Sequence, residues 1–163
     1  MRLVVNPRPA TDVKVPAIIW EAPPNEATTD SGHWEMTDAG GSLTRPRTGE
    51  PLVFLVEKGA NTQNNPFAMG ITIGRVESND IVLDDGSVSR FHAWLQLDER
   101  TQLWSLTDAE SKNGTWVDGT QLAPKTRVAL KDGARIKLGD VELQFCLPPT
   151  LKAFVTERFN RAP

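Results

Sequence analysis

From Pro51 onward the chain is a succession of short runs of strand-forming residues cut by turn residues, and that pattern restricts it to an all-β sandwich or barrel. The runs predict strands at 52–57, 71–74, 81–83, 92–97, 103–107, 115–117, 127–130, 134–138 and 141–145. Alternation is clearest in Trp104-Ser105-Leu106-Thr107 and in Val141-Glu142-Leu143-Gln144-Phe145. Every second side chain there is apolar and faces a core. Asp118-Gly119, Asp132-Gly133 and Gly139-Asp140 supply residues that tolerate positive φ, so the strands are expected to form hairpins. An antiparallel β-sandwich is the expected fold.

Before Pro51 the pattern is absent. Eight of the twelve prolines fall at or before Pro66, and residues 21–50 show neither a helical nor a strand period. Residues 1–50 therefore read as a proline-rich, partly mobile N-terminal arm. Its most apolar part runs from Val13 to Trp20 and is interrupted by Pro16, which suits an edge strand or a partner contact. Residues 51–147 form the β domain. In the tail, 148–163, Leu151, Phe154, Val155 and Phe159 recur at helical spacing with Thr150 as N-cap, predicting a short amphipathic helix packed on the domain.

Charge and cysteine content exclude several functions. The 163 residues carry a formal net charge of -3, and an excess of acid opposes a general affinity for the nucleic-acid backbone. Any anion site must be local. No run approaches the roughly 20 apolar residues of a membrane span, and the N-terminus lacks a signal-peptide core. The single cysteine, Cys146, has no partner for an intrachain disulfide and reads as a small buried hydrophobe, consistent with a cytoplasmic chain.

Function in such a fold belongs to loops held by the rigid sheets. Three stand out. Gly74-Arg75 opens the first, Ser87-Val88-Ser89-Arg90-Phe91-His92 closes the second, and Ser111-Lys112-Asn113-Gly114 forms the third. Arg75 offers a planar fork of donors, Ser89 a hydroxyl, and Arg90 and Lys112 positive charge, which together suit a phosphate. The Asn113 amide both donates and accepts, as gripping an extended peptide requires. Glycines at 74, 86 and 114 permit tight turns or close backbone approach.

Gly74-Arg75, then Ser89-Arg90-Phe91-His92, then Asn113-Gly114 resembles the pattern of the forkhead-associated (FHA) domain, in order and with its usual spacing, over about residues 51–146. The resemblance implies a β-sandwich of about eleven strands that binds phosphothreonine. It implies that Arg75 and Ser89 hold the phosphate, that Arg90 adds a contact, and that Asn113 bonds the ligand backbone. Gly74, His92 and Gly114 match loop-shaping positions. Lys112 departs from the pattern, standing where a small hydroxyl residue often lines the phosphothreonine pocket; Ser111 beside it offers a hydroxyl instead.

Other chemistries are poorly served. Ser89 and His92 with a nearby aspartate evoke a hydrolase triad, but no Gly-x-Ser-x-Gly elbow or oxyanion loop accompanies them. The chain is not expected to be an enzyme. His33, His92 and Cys146 make no metal cluster, and no cofactor is implied. Asn113-Gly114-Thr115 fits a glycosylation sequon by accident in a chain without a secretory signal. Trp94, Trp104 and Trp116 belong to strands and read as packing residues, whereas Trp20 and Trp34 fall in the arm as candidates for docking. Thr28, Thr29 and Thr37, each close to an aspartate, are candidate phosphorylation sites through which the arm would occupy its own domain.

The reading is a phosphothreonine-dependent adaptor in Ser/Thr kinase signalling, whose partner is a phosphothreonine protein rather than a nucleic acid or membrane. The alternative is a structural subunit using the same fold for phosphorylation-independent contacts.

Overall fold

In the computed structural model the described residues are 13–22, 45–46, 51–59, 67 and 70–161. Thr28, Thr29, His33, Trp34 and Thr37 lie outside them. One sheet holds β1 (Ala17–Trp20), β2 (Leu52–Leu55), β7 (Thr115–Val117), β8 (Thr120–Gln121), β10 (Arg135–Leu138) and β11 (Val141–Cys146). Its order is β2-β1-β11-β10-β7-β8. The second sheet holds β3 (Ile71–Gly74), β4 (Ile81–Val82), β5 (Ala93–Asp98), β6 (Leu103–Asp108) and β9 (Arg127–Ala129), in the order β4-β3-β5-β6-β9. A helix, α1 (Pro148–Arg161), follows.

The two sheets close on one apolar core that includes Ile18, Ile73, Leu95, Leu106, Ile136, Leu138 and Phe145. Alternation builds it. In β5, Ala93 and Leu95 are fully buried while Trp94 and Gln96 face outward and are half-buried. Pairing is antiparallel throughout except between β3 and β4, where Ile73 sits opposite Ile81 in parallel register. A parallel pair cannot be joined by a hairpin. The connection between β3 and β4 is consequently a six-residue loop, and Arg75 is its first residue.

The N-terminal stretch is not the edge strand that its prolines suggested. β1 lies between β2 and β11, with Ala17 opposite both Leu55 and Cys146. Pro16 is accommodated because it precedes the paired residues, where its missing N–H is not needed; its carbonyl accepts from Val56 N at 2.8 Å. Both faces of β1 are buried. Ile18 and Trp20 enter the sandwich core, while Ala17 and Ile19 join Val53, Cys146, Leu151 and Val155 beneath the helix. Trp20, expected to be available for docking, is only 6% exposed. The domain therefore draws a strand from the region read as an arm.

The helix packs through Leu151 and Val155, with Phe154 half-buried beside them. Thr150 is inside its first turn rather than capping it, because Pro148, which has no N–H to satisfy, occupies the first helical position. The carboxylate of Asp132, in the turn before β10, accepts from Leu147 N at 2.8 Å and from the Thr150 hydroxyl at 2.5 Å.

Candidate functional site

Three loops meet at one end of the sandwich, and hydrogen bonds lock them to one another. Arg75 N donates to Ser89 O at 3.0 Å, joining the β3–β4 loop to the loop before β5. Lys112 N donates to Ser89 Oγ at 3.0 Å, and Asn113 Nδ2 donates to Ser87 O at 2.8 Å, joining both to the loop before β7. Ser89 is the partner in two of these three bonds and Ser87 in the third. Gly74 is required at this junction, since a Cβ there would lie 2.2 Å from Arg90 O and 2.7 Å from Asn79 Nδ2.

His92 forms the floor. Its ring is fully buried, Nδ1 accepts from Ser89 N at 3.0 Å, and Nε2 contacts Gly114 O at 3.0 Å. An acceptor Nδ1 must be unprotonated, so the ring is the neutral tautomer with its proton on Nε2, donating to Gly114. Burial pushes its pKa below the ordinary histidine value, against the Gly114 carbonyl and the Asp108 charge, which favour the cation. Gly114 presents this carbonyl at φ 89°, where only glycine is at ease.

Asp108, at the end of β6, anchors the third loop. It accepts from Ser111 Oγ at 2.5 Å, Ser111 N at 3.1 Å and Thr115 Oγ1 at 2.6 Å. Burial would raise its pKa, but these hydrogen bonds hold it below the usual carboxylate range. Ser111, expected to offer its hydroxyl to a ligand, directs it to Asp108 instead. Its oxygen also accepts from Gly114 N at 3.1 Å.

The presenting groups differ from the anchoring ones. Arg75, Arg90, Lys112 and Asn113 are exposed and Ser89 is half-buried. Arg75 Nε donates to Val88 O at 3.1 Å, which steadies the guanidinium. Among the described residues no carboxylate lies within ion-pair distance of Arg75, Arg90 or Lys112. The Ser89 oxygen accepts from Lys112 N, leaving its own proton to donate. Arg75, Arg90 and Lys112 are each adjacent or hydrogen-bonded to Ser89. Three exposed basic residues thus belong to the loops joined at this hydroxyl, on a chain with net negative charge.

Two buried polar residues do structural work that the sequence did not flag. Asn79, 7% exposed, donates from Nδ2 to Val76 O at 2.8 Å and to Arg90 O at 2.7 Å, tying the first loop to the second. Asp80 accepts from Thr72 N at 2.8 Å and Gly59 N at 2.9 Å and pairs with Lys58 at 3.1 Å. The available signal was position alone: Asn79-Asp80 immediately precedes an apolar run.

Comparison with known proteins agrees with this geometry. The FHA domain family model matches residues 71–139. The transcriptional regulatory protein EmbR of Mycobacterium tuberculosis is 33% identical over 115 residues, covering 67% of this chain and 29% of EmbR. A solved structure of M. tuberculosis EmbR in complex with a low affinity phosphopeptide aligns over 49% of this chain and 20% of that one, at 35% identity and TM-score 0.43. An engineered FHA with a Myc-pTBD peptide aligns over 88% of this chain and 99% of that one at TM-score 0.51; at 18% identity it speaks for the fold alone. The chain spans between 12% and 29% of the length of the first curated relatives it matches. The loops that meet at Ser89 all lie within residues 71–139, the segment that matches the FHA domain.

Proposed function

We propose that the chain binds phosphothreonine-bearing proteins through the Arg75–Ser89–Asn113 end of its FHA domain, as an adaptor downstream of a Ser/Thr kinase. The observation that carries this reading is the convergence on Ser89: one hydroxyl with a proton to donate, in a loop tied by backbone N–H bonds to the loops of the exposed Arg75 and Lys112 and followed directly by the exposed Arg90. A phosphoryl group brings about -1.5 to -2 charges and three acceptor oxygens. Each hydrogen bond to such a group contributes about 1.5 to 3 kcal/mol, and an unmodified threonine offers none of it. In this reading Arg75 and Ser89 hold the phosphate, Arg90 and Lys112 add charge, and Asn113 meets the ligand backbone. Ser111, His92, Gly74 and Gly114 shape the loops.

The related EmbR, solved with a phosphopeptide, supports the ligand class. A phosphothreonine peptide-library screen tests the proposal: wild-type chain should enrich phosphothreonine peptides and Arg75→Ala should not. Equal enrichment by both would refute it.

Once phosphorylated, the chain's own threonines would be ligands of the same kind. Arg45 pairs with Asp85 at 3.3 Å and donates to Asp84 O at 3.1 Å, a few residues before Ser89. Thr37 stands eight residues before Arg45, a span that reaches up to about 28 Å when extended. Phosphorylation at Thr28, Thr29 or Thr37 would then compete with an external ligand. A test phosphopeptide bound equally before and after in vitro phosphorylation of the chain would rule this regulation out.

A further inference from the structure

Asn113 is the one asparagine of this chain that a glycine follows. Glycine has no side chain to shield its amide nitrogen, so in Asn-Gly that nitrogen reaches the preceding side-chain carbonyl carbon with the least hindrance. Attack of Gly114 N on Asn113 Cγ closes a succinimide ring. The N–Cγ bond forms, the Cγ–Nδ2 bond breaks, and the Gly114 amide proton ends on Nδ2, which leaves as ammonia. Water then opens the ring at either carbonyl, giving aspartate or, with the main chain rerouted through the side chain, isoaspartate. The only co-reactant is water, and Asn113 is exposed to it.

The fold restrains the atoms of this reaction. Nδ2, the leaving group, donates to Ser87 O at 2.8 Å. Gly114 N, the nucleophile, donates to Ser111 Oγ at 3.1 Å, and that hydroxyl is itself fixed on Asp108. Ring closure removes the hydrogen from Gly114 N and detaches Nδ2, so both bonds are lost on the way. The backbone is pinned on either side as well, by Lys112 N on Ser89 Oγ and by Gly114 O on the buried His92 ring.

Either product alters the end of the sandwich that holds Ser89. A carboxylate at Asn113 has no proton to donate and turns a charged oxygen toward the Ser87 carbonyl that the amide now bonds. Its negative charge enters the loop of Lys112, where a phosphate would be repelled. Isoaspartate also lengthens the main chain by a methylene between two bonded residues, Lys112 and Gly114.

We infer that Asn113-Gly114 is a spontaneous deamidation site, held back by the bonds to Ser87 and Ser111, whose conversion to an acid closes the phosphothreonine site to its ligand. The inference rests on the phosphothreonine reading and adds a lifetime to it. Because Asn113 meets the ligand backbone in that reading, an occupied site is protected and an empty one ages.

The test incubates the full chain at mildly alkaline pH, which favours loss of the Gly114 amide proton, and follows amide-to-acid conversion at Asn113 by peptide mapping and isoaspartyl methyltransferase labelling. Four samples are compared: urea-unfolded wild type, folded Ser111→Ala, folded wild type, and folded wild type saturated with a phosphothreonine peptide. Conversion should slow in that order, with Ser111→Ala roughly three- to tenfold faster than wild type, the factor for one hydrogen bond. A melting curve shows that Ser111→Ala is folded, and the ligand-saturated sample reads the same restraint without any substitution. Acid-bearing chain, separated by anion exchange, should lose roughly tenfold or more in phosphopeptide affinity, as like charges brought together require. Equal rates in folded and unfolded wild type, or no acid in folded wild type by the time Ser111→Ala has converted fully, would overturn the site. Unchanged affinity of the acid-bearing chain would overturn its effect on binding. Failure of freshly prepared chain to prefer any phosphorylated peptide would instead overturn the reading beneath it.

Discussion

The loop end of the sandwich and the face beneath α1 are built from opposite materials. Beneath the helix, Ala17, Ile19, Val53, Cys146, Leu151 and Val155 pack as an apolar layer. Burial there pushes the Cys146 thiol up to about 11, leaving it an inert hydrophobe. At the loop end, Asn79, His92, Asp108 and Thr115 are buried polar groups, each hydrogen-bonded to the loops they hold. The apolar layer stabilises through area removed from water and tolerates repacking. The polar tier stabilises through directed bonds, so single changes there should move loop geometry and ligand affinity together.

The largest separation between the two regions is expected from Arg75→Ala. It should lower phosphothreonine-peptide affinity by about 2 to 5 kcal/mol, the range for truncating one partner of a desolvated charge pair, and leave the thermal midpoint almost unchanged, because Arg75 is exposed. Calorimetry and a melting curve read the two effects side by side.

Leu151→Ala should do the reverse. Truncating a buried leucine costs about 2 to 5 kcal/mol of stability, and Leu151 is 4% exposed beneath the helix. Phosphopeptide affinity of the folded fraction should not change. A parallel loss of affinity would mean that the helix face and the loop end are coupled.

Asp108→Ala should fall between them. It leaves the Ser111 and Thr115 hydroxyls without their shared acceptor, at about 1 to 3 kcal/mol for each buried group left unsatisfied. Stability and affinity should drop together, since Ser111 and Lys112 belong to the same loop. Denaturant unfolding and peptide titration would separate this joint loss from the two one-sided ones.

The smallest effect is expected from pH. His92 is held below its ordinary pKa of about 6.5. Above that value both folded and unfolded chains carry a neutral ring, and its contribution to stability is complete. As pH falls below it the unfolded chain takes up the proton first, so stability declines until the folded pKa is passed. Melting curves between about pH 7.5 and 5 should show this slope in wild type and less of it in His92→Asn. Asp108 acts in a separate window below about pH 4, because its folded pKa is depressed beneath that of the unfolded carboxylate.

The sequence made some of this architecture legible and hid the rest for physical reasons. Strands β5, β6, β10 and β11 lie where alternation and turn residues mark them, because each turns a row of apolar side chains into the core. β1 was legible only as an edge strand or a partner contact, because both of its faces are buried, so it shows no alternation, and because Ala17 finds its partner Cys146 far along the chain. Strand β8, two exposed residues paired with β7, is too short to carry a pattern. At the site, Arg75, Ser89 and Asn113 were readable as parts of a spaced motif. The anchors Asn79, Asp80 and Asp108 were not, since a loop carboxamide or carboxylate looks the same in sequence whether it faces water or bonds a neighbouring loop. The partner of Ser111 was hidden for the same reason: its hydroxyl donates to Asp108, three residues earlier.

The most direct measurement of the central claim is calorimetric titration of the chain with one peptide in two forms, identical except for the phosphate on its threonine. The account predicts saturable binding of the phosphorylated form, weakening with salt as charge pairing requires, and no measurable binding of the unmodified form. Equal affinity for both would contradict it and leave the sandwich as a scaffold for contacts that ignore phosphorylation.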